Sequence, residues 1–384
     1  NENTDKIGEI LNFKKDFIKG VDISTLLEVE KCGGRFFDNG LEKDALTILE
    51  DYGFNAVRLR LWNHPYSEDG KPYGAGNNDL PTTILLAKRA LDKGMDFLLD
   101  YHYSDFWADP GKQYVPKAWQ NYSVDELEKA VYDYTVETLT ALRLADAFPT
   151  MVQVGNELSN GLLWPYGKVP KYDNIAKFVN AGIRGVRAVD SDIPIMIHLD
   201  NGGNNELYRR WFDEYLKRGE DFQVIGLSYY PFWHGTMQML IDNMTDIAKR
   251  YQKDLIVAEV SMGFTMEDYS SLEALSSEER KGYATKPSLV EKIEYPMTKQ
   301  GQCDFMRDFL QVLKNIPENR GRGFYYWEPA WIPVQGSGWA TESSLSYIQD
   351  KGPCGNEWAN QALFDYDGNA LPSLEIIKDF SPFN

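Results

Sequence analysis

At 384 residues, 43% of them apolar and 26% charged, the chain can bury one large core, and α/β barrels of this length run as single domains. Its net charge of −18 works against nucleic acid, anionic lipid surfaces and polyuronates, so a neutral ligand is the expectation. No apolar run reaches the ~20 residues that a membrane helix needs.

After a polar stretch at 1–16, apolar runs recur at 17–24, 55–62, 96–103, 150–157, 193–200, 223–230, 254–261 and 321–328. Each is short and nearly continuous, as expected of parallel strands covered on both faces. Amphipathic stretches lie between them at 41–52, 82–93, 123–146, 172–189, 206–218, 237–252 and 300–316, and a last one at 373–380 follows the eighth run. This alternation predicts a single α/β (β/α)8 TIM barrel over 17–384, with 1–16 as an N-terminal extension. The longest irregular stretches, 62–81, 104–122, 262–299 and 329–372, follow the second, third, seventh and eighth strands. On a barrel, loops at that end carry the site.

Two runs in this pattern carry chemistry. Val154-Gly155-Asn156-Glu157 ends the fourth strand and Val257-Ala258-Glu259-Val260 ends the seventh. A carboxylate in such apolar surroundings needs a partner or a task. A structural salt bridge is the plain alternative. Two facing glutamates suit glycoside hydrolysis, with Glu157 as a proton donor kept protonated by burial and Glu259 as an ionised nucleophile. Asn156 would donate to a sugar hydroxyl. Arg58 and Arg60 share one face of the second strand and demand anions, so Arg58 is the expected support for Glu259, with Tyr229 or Tyr230 as a second. Of ten tryptophans, only Trp211 falls in a predicted helix. The others cluster at strand ends and in the following loops, where flat rings suit sugar faces.

His64, His102, His198 and His234 also lie at or just past strand ends. A zinc site is the sharper reading, but no H-x-H pair is present, so hydrogen bonding to sugar hydroxyls is expected of them. No cofactor is expected for catalysis. Cys32, Cys303 and Cys354 show no metal spacing, and one bridge, Cys32 to Cys354, is left open. A start at Asn1 rather than Met suggests a processed, secreted, periplasmic or cell-surface protein.

The chain resembles glycoside hydrolase family 53, the endo-β-1,4-galactanases. The residues that carry the resemblance include 17–24, 55–62, His102-Tyr103-Ser104-Asp105-Phe106-Trp107-Ala108-Asp109-Pro110 and Gly155-Asn156-Glu157. Gly161-Leu162-Leu163-Trp164-Pro165, Ser228-Tyr229-Tyr230-Pro231-Phe232-Trp233-His234-Gly235, Tyr326-Trp327-Glu328-Pro329-Ala330-Trp331 and 360–365 continue it. The resemblance implies a retaining, endo-acting barrel enzyme that cuts β-1,4-galactan, with Glu157 as acid/base and Glu259 as nucleophile. It implies that Arg58, His102, Asn156, Tyr230 and Trp327 shape the cleavage subsite. Substrate contact is further expected of Trp62, Asp105, Trp107, Asp109, Trp164, His198, Trp233 and Trp331. Galactan and galacto-oligosaccharides are the expected partners of a monomer, with no nucleic acid and no transmembrane segment. Some bacterial members of that family hold a structural calcium through a D-x-D-x-H-x-N run after strand seven. The run is missing here, so a structural calcium is left open without support from that loop.

Overall fold

The computed structural model describes residues 17–268 and 284–382. The expected extension at 1–16 and part of the loop after strand seven lie outside the described residues. Eight parallel strands close into a barrel: β1 (Ile18–Asp22), β2 (Ala56–Leu61), β3 (Asp96–Tyr101), β4 (Met151–Val154), β5 (Ile195–Leu199), β6 (Val224–Tyr229), β7 (Asp254–Val260) and β8 (Gly321–Trp327). The helices that follow them in turn are α1 (Ala45–Asp51), α2 (Leu80–Asp92), α3 (Val124–Leu144), α4 (Tyr172–Val189), α5 (Asn205–Leu216), α6 (Met237–Tyr251), α7 (Lys299–Lys314) and α8 (Ser373–Asp379). β1 pairs with both β2 and β8, which closes the ring.

The helices form where an apolar stripe and a cap coincide. In α3, Leu127, Val131, Leu139 and Leu142 face the barrel, and Ser123 with Glu126 closes a capping box. The first expected helix, 41–52, begins only at Ala45, because Leu41–Glu42 pairs with Phe37–Asp38 as a short ribbon. An extra helix, Glu342–Ile348, sits inside the loop after β8.

Period two along the strands builds the barrel interior in layers. Ile18, Ala56, Leu98, Met151, Met196, Val224, Ile256, Ala258 and Tyr325 form an apolar plug. Gly20 makes room for this plug, since a Cβ there would lie 2.3 Å from the Tyr325 ring. Two residues further along β2, β3, β4, β5 and β8 come Arg58, Asp100, Gln153, His198 and Trp327. The plug thus lifts a polar layer to the C-terminal mouth.

All three cysteines are free, so the Cys32–Cys354 bridge is not formed. The turn at 336–338 packs against both, with Cys32 Sγ facing Gly336 and the Cys354 carbonyl facing Gly338. No helix of the described residues is long and apolar enough to cross a membrane.

Candidate active site

The polar layer opens into a cleft of about 220 Å³, the scale of one sugar ring. Glu157 and Glu259 face each other there, with one oxygen of each within 4.8 Å. Retaining glycosidases keep their carboxyl groups ~5–5.5 Å apart, whereas inverting ones leave ~6.5–9.5 Å for a water. The separation here falls on the short side.

Local backbone geometry aims both side chains. β4 stops at Val154 because Gly155 and Glu157 take φ of +87° and +49°. A left-handed glutamate is strained, and such strain gathers at functional sites. On β7 the register against β6 slips, so that Leu227 faces Val257 but Ser228 faces Glu259. This irregularity turns Glu259 inward beside Ala258, where strict alternation would send it outward.

Arg58 organises the floor of the cleft. Its guanidinium lies 3.1 Å from Asp22, 2.9 Å from Asp100 and 3.0 Å from Glu259. It also donates to Gln153 and Asn156. Tyr230 donates its hydroxyl hydrogen to Glu259 Oε1 at 2.7 Å. Among the described residues Glu157 makes no ion pair; Ser228 Oγ donates to its Oε2 at 2.9 Å. Burial pushes both carboxyls up. Glu259 rises to about 7, with Arg58 and Tyr230 opposing the push. Glu157 rises well above the ordinary value through burial and the charges of Glu259, Asp200 and Asp109. Of the two, Glu157 holds its proton longer.

Of the residues expected at the site, Arg58 is buried beneath the cleft, in contact with Glu259. His102, Trp107, Asp109, Asn156, Tyr230, Trp327 and Trp331 line the cleft, as do Arg60, Trp339 and Trp358, expected near the mouth as a strand arginine and loop tryptophans, and the unforeseen Lys112 and Glu357. Asn156 Nδ2 donates to the Ala108 carbonyl, and its second hydrogen remains for the cleft. Trp327 is ringed by Trp107, Trp331 and Trp358, and Trp233 stacks on the outer side of Trp358 at 5.6 Å.

Four expected contacts lie elsewhere. Trp62 is fully buried and donates to His102 Nδ1. Asp105 is buried and accepts from the backbone of His64 and Lys117, which ties two loops together. Trp164 borders a separate groove with Tyr114 and Tyr166. His198 is buried behind Glu157, bonded to Gln153, the Glu157 amide and Ser228.

The role expected of the histidines also changes. Both ring nitrogens of His102 are taken, Nδ1 by Trp62 and Ala108 and Nε2 by Asp100, so it has none to offer a sugar hydroxyl. Burial lowers the pKa of His102, His198 and His234, which keeps all three neutral. Glu157, His198 and Glu259 are the only trio of metal-type donors among the described residues. His198 Nδ1, however, already accepts from two N–H groups.

Asp22, Asp100, Gln153, Ser228 and Glu328 also belong to this network, and none of them had an assigned role from the sequence. Glu328 ends β8 as Glu157 and Glu259 end their strands, and the same signal would have nominated it. Its carboxylate accepts from Arg60, Thr25 Oγ1 and the Thr25 amide.

A closed barrel whose mouth sets two close carboxylates over a tryptophan-lined cleft has the architecture of a retaining glycoside hydrolase. Residues 18–377 match glycosyl hydrolase family 53. The endo-β-1,4-galactanase of Bacillus subtilis is 38% identical, over 97% of this chain and 88% of its own. The arabinogalactan endo-β-1,4-galactanase A of Aspergillus niger is 33% identical, over 94% of each. The solved family 53 catalytic domain of Ignisphaera aggregans is 40% identical and superposes with a TM-score of 0.85, covering 94% of this chain and 95% of that one. The chain therefore belongs to glycosyl hydrolase family 53, and it is a retaining glycoside hydrolase that follows the cofactor-independent chemistry of that family.

Proposed function

We propose that this enzyme cuts internal β-1,4-galactosidic bonds in pectic galactan and type I arabinogalactan, with Glu157 as acid/base and Glu259 as nucleophile. The observation that carries the roles is the asymmetry of the pair. Arg58 and the Tyr230 hydroxyl oppose the protonation of Glu259. Among the described residues Glu157 accepts from a serine hydroxyl and faces other acids. One proton shared between them therefore rests on Glu157.

In the first step a Glu259 oxygen attacks the anomeric carbon while Glu157 gives its proton to the departing glycosidic oxygen. The C–O bond to the leaving sugar breaks, and an ester to Glu259 forms. In the second step Glu157, now a carboxylate, takes a proton from water. The resulting oxygen displaces Glu259 and restores the original anomeric configuration. Asn156 holds the hydroxyl next to the anomeric carbon, and Trp327 lies under the ring. Trp107, Trp331 and Trp233 extend the aromatic wall, and Asp109 reaches ring hydroxyls at the rim. Trp62, Asp105 and His198 support these contacts without touching sugar.

The choice of galactan rests on the identity to galactanases of a bacterium and a fungus. The anionic chain suits this neutral polymer. A polymer of that size is met outside the cell, so secretion or surface display follows from the same reading. The cleft residues come from one chain, so a monomer suffices. The test is chromatography of products from pure β-1,4-galactan, with mannan and mixed-linkage glucan in parallel. Galacto-oligosaccharides from galactan alone are expected. Cleavage of mannan or glucan in preference would overturn the substrate assignment.

A further inference from the structure

Behind Glu157 runs a hydrogen-bonded chain in which every donor is fixed. Arg58 Nε–H donates to Gln153 Oε1 at 3.1 Å, which orients that amide with its nitrogen toward His198. Gln153 Nε2 lies 3.0 Å from His198 Nδ1, and the Glu157 backbone N–H donates to the same nitrogen at 3.2 Å. A backbone N–H can only donate, so His198 Nδ1 carries no proton. Burial keeps the ring neutral, so its single proton is on Nε2. Nε2 lies 2.8 Å from Ser228 Oγ and donates to it. The serine hydrogen then goes to Glu157 Oε2, 2.9 Å away.

We infer that Ser228, held by His198, is a positioning residue that fixes which oxygen of Glu157 carries its proton: Oε2 accepts from the serine, and the proton for the leaving group stays on Oε1. This deepens the proposed role of Glu157 and rests on it. A proton on Oε2 would point at the serine hydroxyl hydrogen, and either group would lose its partner in a buried place. Oε1 is left to the cleft that Glu157 lines. A carboxylic acid with two equivalent oxygens presents its proton wrongly part of the time, and the relay removes that ambiguity. In the second half of the reaction the same arrangement directs the proton of water back to Oε1. Ser228 and His198 are fully buried, so they act through Glu157 rather than on sugar.

The groups that face Glu157 decide how a pH readout is interpreted. Glu259 on β7, Asp200 at the end of β5 and Asp109 after β3 raise its pKa. Lys112 pairs with Asp109. Tyr230 and Tyr208 stay protonated at ordinary pH. Ser228→Ala removes the hydrogen bond that favours the Glu157 carboxylate, together with the acceptor of the His198 Nε2–H.

The experiment is infrared difference spectroscopy of Ser228→Ala, with Glu157→Gln identifying the protonated Glu157 carbonyl band. That carbonyl is Oε2 in the native enzyme, and losing its donor should shift the band to higher wavenumber. Alongside it, kcat/KM on galactan should fall roughly tenfold, since part of the general-acid contribution is lost. The alkaline limb should move up, and an aryl galactobioside with a dinitrophenolate leaving group should respond by less than about twofold. Should Ser228→Ala not fold, Ser228→Cys keeps the shape with a weaker donor and is measured in the same way. A carbonyl band that does not move in a folded variant overturns the proposal. Glu157→Ala on both substrates separates the two possible failures. If it treats both leaving groups alike, the acid assignment falls; if it discriminates while Ser228→Ala does not, only the positioning role falls.

Discussion

Arg58 Nη2 lies 3.0 Å from Glu259 Oε2, with both side chains almost closed to solvent. The same guanidinium also serves Asp22 and Asp100, and Arg60 is shared between Asp22 and Glu328. Two cations thus stand against four carboxylates. Burial, with this shortage of positive charge added to it, explains why Glu259 and Glu328 both rise to about 7 despite their arginines.

The pH profile follows from this balance. In the proposed roles Glu259 must be ionised, so activity is lost as pH falls through its pKa. Glu157 must be protonated, so activity is lost as pH rises through its own. The acid limb should therefore lie above the ordinary glutamate value of 4.5, toward about 7, and the optimum near neutrality. A nucleophile held low by Arg58 alone would instead place the acid limb below 4.5. Arg58→Lys should move the acid limb further up, because a compact ammonium cannot serve three carboxylates. Arg58→Ala should in addition cost about 3–5 kcal/mol of stability by leaving buried charges unpaired. An acid limb unchanged in a folded Arg58→Lys enzyme would remove Arg58 as the support of Glu259.

The two glutamates should fail in different ways. Glu259→Ala should abolish turnover, and azide should then give the inverted glycosyl azide. Glu157→Ala should lose ~10²–10⁴ on galactan but little on an aryl galactoside with a good leaving group. Azide should then give the retained product. Identical anomers from both variants, read by NMR, would refute the assignment.

The proposed function divides the tryptophans into those that touch substrate and those that support. Trp358 lines the cleft beside Trp327, at a centroid distance of 5.0 Å. Trp358→Ala should raise KM about tenfold, the equivalent of ~1.4 kcal/mol of lost contact. Trp62→Phe should leave KM near native. It should lower kcat modestly, because it removes one of the two donors to His102 Nδ1 and loosens the hold of His102 on Asp100. A large KM effect in Trp62→Phe would return Trp62 to the substrate-binding surface.

The barrel and the glutamate pair were legible because strand composition and strand ends leave a strong local signal. The expected strand at 254–261 matches β7 closely, yet alternation alone would put Glu259 on the same face as Val257, away from the cleft. The slip in register between β6 and β7 is a property of two strands together and leaves no mark in either. Trp62 and His198 were assigned to substrate for a related reason. A residue type and a strand end say that a side chain is near the mouth, but not whether a neighbour has already taken its polar atoms. Glu328 shows the converse: it carries the same strand-end signal as Glu157 and Glu259, but its carboxylate is spent on Arg60 and Thr25 and does not line the cleft.

The Glu157 pKa is raised in the folded chain, so the folded state binds its proton more tightly than the unfolded state does. The stability this contributes is fully present below the ordinary value of 4.5 and is lost as pH rises toward the folded pKa. Above that value the native chain must either keep a proton that the unfolded chain releases or bury a second charge beside Glu259. Glu157→Gln, neutral at every pH and of similar shape, escapes this cost. Its Tm should match that of the native enzyme near pH 4 and exceed it increasingly above neutrality, by ~1–3 °C. Glu259→Gln should give a smaller gain, because it leaves Arg58 with one fewer buried partner. Thermal scans of the three proteins from pH 4 to pH 9 test the ordering. A Glu157→Gln variant that loses stability with rising pH in parallel with the native enzyme would show that the proton does not reside on Glu157.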